Sequence, residues 1–160
     1  MAAFIIRTRS NYCKAMLHGA TEKSLNKLKR VQNKHARVVC NVTTRQHHIV
    51  DHLRNLHWLP IRSRITFKIA TLCYKADRFN QPRYLLGTLE PFVPRLGLRS
   101  AEMNLLTVPR ARTKTAARRF SSAAPTIWNG LPLAIRNSGS TLTFKSHLKT
   151  NLFRLDFLVQ

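Results

Sequence analysis

Between residues 21 and 40 the apolar and charged positions separate on a helical wheel. Leu25, Leu28, Val31, Ala36, Val38 and Val39 share one side, while Lys23, Lys27, Arg30, Lys34 and Arg37 recur at spacings of four and three on the other. That is the pattern of an amphipathic helix with a basic stripe, and Thr21 or Ser24 is placed to cap its start. Upstream, Phe4, Ile5, Ile6, Tyr12, Met16 and Leu17 make a weaker helical pattern closed by Gly19, a separate segment over 1–20. After the polar connection Thr43–Gln46, Ile49, Leu53 and Leu56 predict a short helix, ended by Trp58-Leu59-Pro60. Ile65, Ile69, Leu72, Cys73 and Ala76 then predict the main core helix over 61–79.

Pro82, Gly87, Pro91, Pro94 and Gly97 break the chain into short turns, with room for one helical turn at Tyr84–Leu86. Leu105–Val108 is a brief strand candidate. The period-two run Arg110, Arg112, Lys114 fits one face of an extended arm. Together they predict a small hairpin near 104–118. Pro125 is expected in the first turn of a helix holding Trp128, and Leu131-Pro132 is expected to stop it. Ser138–Thr141 supplies caps for a last helix carrying Leu142, Phe144, Leu148, Leu152 and Leu155. The fold class expected is mainly α: a small helical array over 21–160, with that hairpin as its only β element.

Charge changes the picture more than composition does. A chain of 160 residues with 44% hydrophobic content can bury a core, but 28 Lys and Arg against 6 acids leave +22. Self-repulsion of that size favours a polyanionic partner, RNA or DNA first and an anionic membrane surface second. The candidate contacts are the stripe Lys23, Lys27, Arg30, Lys34 and Arg37, and the acid-free run Arg110, Arg112, Lys114, Arg118 and Arg119, which leads into Phe120, Ile127, Trp128 and Leu131. Trp58 and Trp128 are expected in the core rather than as base-stacking surfaces.

Little else in the chain carries chemistry. Phosphoryl chemistry needs carboxylates converging on metal ions, and the acids Glu22, Asp51, Asp77, Glu90, Glu102 and Asp156 contain no close pair. Tyr74-Lys75-Ala76-Asp77 lacks the second aspartate of a polymerase metal motif. His48 and His52 stand four apart but lack a following carboxylate or clustered cysteines, so no metal site is assigned. Cys13, Cys40 and Cys73 are unpaired in spacing. No cofactor, small-molecule substrate, membrane span or catalytic residue is expected. Arg7, Arg9 and Lys14, without an acid nearby, resemble a mitochondrial presequence. A nuclear or cytoplasmic location is the main expectation and mitochondrial import the alternative.

Several segments occur in a distinctive order. They are Tyr12-Cys13-Lys14-Ala15-Met16-Leu17-His18-Gly19, Leu25–Val39, Leu56-His57-Trp58-Leu59-Pro60, Arg64–Ile69, Leu98-Arg99-Ser100 and Val108-Pro109-Arg110. Phe120-Ser121, Ala123-Ala124-Pro125, Trp128-Asn129-Gly130-Leu131-Pro132 and Phe144–Lys149 continue it. This order resembles the region beyond the polymerase core in LINE-type, jockey-like non-LTR retrotransposon reverse transcriptases, over roughly residues 11–153. The resemblance implies a C-terminal fragment of the second open reading frame, without the polymerase and endonuclease domains and their catalytic aspartates. It implies a catalytically inactive part that helps hold element RNA or target DNA, with a reverse transcriptase core as a further partner. The alternatives are a structural remnant that needs the missing polymerase to fold, and a mitochondrial RNA-associated protein.

Overall fold

The structure, a computed structural model, describes residues 14–42, 48–94 and 103–158. Among them are seven α-helices: α1 (Glu22–Val39), α2 (Ile49–Asn55), α3 (Ile61–Phe79), α4 (Lys114–Ala117), α5 (Phe120–Asn129), α6 (Leu133–Arg136) and α7 (Thr141–Phe157). Two 3₁₀ segments, Lys14–Leu17 and Arg83–Thr88, join them. The fold is mainly helical. The chain forms two compact units, Met1–Ile65 with Thr150–Gln160, and Thr66–Lys149.

In the first unit, α1 starts at Thr21, whose Oγ1 accepts the Ser24 N–H at 3.4 Å. Glu22 in its first turn and Arg37 in its last both suit the helix dipole. Its buried face is Leu25, Gln32 and Ala36, with Leu28 half-buried, so the apolar side read from the sequence is corrected. Val31 is exposed and Val38 is 78% exposed. Gln32 takes the inner position because its Nε2 donates to the Leu59 carbonyl at 2.8 Å, so its amide is buried with a partner. Leu53, Leu59, Ile61, Ile65 and Leu152 complete this unit's core.

In the second unit α3 is the central element. Ile69, Ala70, Thr71, Cys73, Tyr74 and Ala76 are all buried, which covers most of the helix circumference in two turns. Its Tyr74 forms an aromatic cluster with Trp128 of α5 and Phe144 of α7, and Leu131, Ile135 and Leu148 are buried in the same unit. On α7 the expected face is kept by Phe144 and Leu148 here and by Leu152 in the first unit, while Leu142 and Leu155 are exposed. Ser140 caps α7, its Oγ accepting the Thr143 N–H at 3.1 Å.

The hairpin expected at 104–118 is replaced by a different pairing. Leu105–Thr107 meets Glu90–Phe92 instead, through Phe92 N–H to Leu105 C=O at 2.9 Å, Thr107 N–H to Glu90 C=O at 2.8 Å and an antiparallel bridge between Pro91 and Leu106. Residues 114–117 are helical, because Thr113 caps them by accepting the Ala116 N–H at 3.1 Å. The expected role of Pro125 is also corrected. α5 begins at Phe120, so Pro125 lies inside it, fully buried, and removes one interior backbone donor. Expected features at 1–13, 43–47 and 95–102 lie outside the described residues.

Candidate nucleic-acid interface

The five cations of α1 belong to the first unit. At about 100° per residue, Lys23, Lys27, Arg30, Lys34 and Arg37 fall within one quadrant, opposite Leu25, Leu28, Gln32 and Ala36. Lys23, Lys27, Arg30 and Lys34 are exposed. Arg37 is half-buried, and its Nε has no hydrogen-bond partner. Glu22, the acid nearest the stripe in sequence, is engaged by Arg62 from α3. Both side chains of that pair are well exposed, so it contributes little to stability. Its effect on the stripe is to occupy the one carboxylate that α1 itself carries.

The second group belongs to the other unit. Arg110, Arg112, Lys114, Arg118 and Arg119 are all exposed. They do not line one strand face. Arg110 and Arg112 are in irregular chain, Lys114 opens α4, Arg118 caps its C-terminus, and Arg119 is the residue before α5. Lys114 and Arg118, four apart on helical backbone, share a side. Lys114 and Arg119 sit at helix starts whose first turns hold no acid, so no neighbouring carboxylate offsets their charge there. None of the ten cations forms an ion pair with another described residue.

The tryptophans divide. Trp128 is fully buried as expected, its Nε1 donating to the Asn104 carbonyl at 2.8 Å. Trp58 is half-buried, with the Arg64 guanidinium 5.6 Å from its ring centroid. Arg136 is a buried cation that the sequence pattern did not single out. Its Nη1 reaches the Asn104 carbonyl at 3.5 Å, and burial lowers its proton affinity.

No cluster of three or more potential metal ligands occurs among the described residues, and no helix among them is long and apolar enough to cross a membrane. Cys73 is fully buried, and burial aided by the Asp77 carboxylate pushes its thiol well up, which makes it a poor nucleophile. No protein-family model matches the chain, and no significant match is found among curated proteins or solved structures.

Proposed function

We propose that this chain is a non-catalytic nucleic-acid-binding module that grips phosphate backbones without reading sequence. In this reading it descends from the region beyond the polymerase core of a LINE-type retrotransposon reverse transcriptase. The lineage rests on the ordered motifs alone. The binding role rests on one observation: ten cations, nine of them exposed, have no ion-pair partner among the described residues. Backbone contacts of this kind release counterions, so log affinity falls with log salt by about 0.7–0.9 per contact. Fluorescence anisotropy with RNA and DNA oligonucleotides across a salt series tests this. Affinity that does not change with salt overturns it.

A second reading is favoured by Val31 and Val38, exposed apolar side chains on α1. Here the chain is a part that docks on a reverse transcriptase core and depends on it for stability. A thermal melt followed by circular dichroism separates the two. A cooperative transition in the isolated chain supports the independent module, and its absence supports the dependent one.

A further inference from the structure

The helices α1 and α2 end in the same way. In α1, Val42 N–H donates to Arg37 C=O at 2.9 Å and Asn41 N–H to Val38 C=O at 3.2 Å, with Asn41 at φ 52°. In α2, Trp58 N–H donates to Leu53 C=O at 2.8 Å and His57 N–H to Arg54 C=O at 3.0 Å, with His57 at φ 52°. Glycine and asparagine are the usual residues at this left-handed helix stop. Histidine is tolerated in this region but is not the usual choice at such a stop, so the turn alone does not call for it.

What His57 adds is a fixed flat ring. Its Nδ1–H donates to the Asn55 carbonyl at 3.2 Å, and one ring face lies over Phe153, centroids 5.6 Å apart and planes 16° apart. Phe153 in turn contacts Phe157 at 4.7 Å. The imidazole is thus held at an edge and on one face, yet the residue stays exposed. Exposed cations flank the pair in sequence: Arg54 one helical turn before His57, and Arg154 next to Phe153. A ring held at an edge and on one face, with exposed cations close along the chain on both helices, suits an unpaired base, which needs a stacking face and neutralisation of its flanking phosphates. A base inside a duplex has both faces covered by its neighbours.

We infer that His57, backed by Phe153, is a stacking platform for an unpaired base, and that the protein therefore prefers single-stranded RNA or DNA to duplex. This rests on the nucleic-acid-binding reading above and adds a discrimination that surface cations alone do not supply. The test is anisotropy of the full chain with a labelled single-stranded RNA, a single-stranded DNA and the matching duplex, at one salt concentration and across a series. His57→Asn and His57→Gly remove the ring while suiting the left-handed turn, and His57→Phe restores a ring.

Single-strand affinity should fall about tenfold in the first two variants, recover in the third, and leave duplex affinity and the salt slope unchanged. The RNA and DNA arms show which strand the platform takes. If His57→Asn and His57→Gly bind single strands as the parent does, or lose duplex affinity equally, the platform is overturned and the basic-surface reading stands. If the parent shows no salt-dependent binding to any of the three, both fall.

Discussion

Tyr74 lies face to face with Phe144, ring centroids 4.2 Å apart and planes 15° apart, and its hydroxyl donates to the Ser138 carbonyl at 2.6 Å. One buried side chain therefore packs α3 on α7 and also fixes the turn that leads into α7. Removing the hydroxyl alone leaves the Ser138 carbonyl without that donor. Tyr74→Phe should cost about 1–2 kcal/mol and Tyr74→Ala about 3–5 kcal/mol, measured by urea denaturation.

Asn129 holds Leu106 from both sides of its amide: the Leu106 N–H donates to Oδ1 at 2.9 Å, and Nδ2 donates to the Leu106 carbonyl at 2.8 Å. Asn129→Ala strips both partners at once. The expected loss is about 2–3 kcal/mol, with an unchanged denaturant slope if the rest of the fold is kept.

Because the α1 stripe faces away from its own helix's buried side, its charge should be separable from stability. Replacing Lys23, Lys27, Arg30 and Lys34 together by Gln should reduce the salt slope of binding by about 0.7–0.9 for each lost contact. Folding stability should shift by no more than about 0.5 kcal/mol per site. A large fall in melting temperature would show that these side chains pack rather than bind.

Asp156 gives a pH dependence with a definite sign. Burial raises its proton affinity in the folded state, and a hydrogen bond with Ser63 only partly opposes this. The folded form therefore holds the proton more tightly than the unfolded form. Its stabilising contribution is full below the ordinary carboxylate range and is lost as pH rises through the raised folded value. Asp156→Asn should raise the melting temperature at neutral pH, and the gain should vanish in acid. A gain that persists unchanged in acid would assign it to packing instead.

Periodicity made the helices legible, since α1, α2, α3 and α7 follow from apolar spacing, and the caps of α1 and α7 from Thr21 and Ser140. It failed where a distant partner decides. Gln32 is buried because of the Leu59 carbonyl, which no local pattern in α1 encodes. The alternation at Arg110, Arg112 and Lys114 suggested a strand, but Thr113 offers the local backbone a helical cap, and Glu90–Phe92 takes the pairing edge of Leu105–Thr107. Pro125 by local preference suits a helix start, whereas it lies fully buried in the interior of α5. The cations themselves were legible one by one. Their separation into two units was not, because it depends on which helices pack together.

The Asn129 clasp also bears on self-association. Leu105 and Thr107 spend their ladder groups on Glu90–Phe92, while the outward N–H and C=O of Leu106 are both taken by one side-chain amide. An extended segment in a helical protein usually leaves a raw edge on which a second chain can add a strand. Here the amide stands in for the missing neighbour strand, so the short stretch of β structure offers no free edge at Leu106 to another copy.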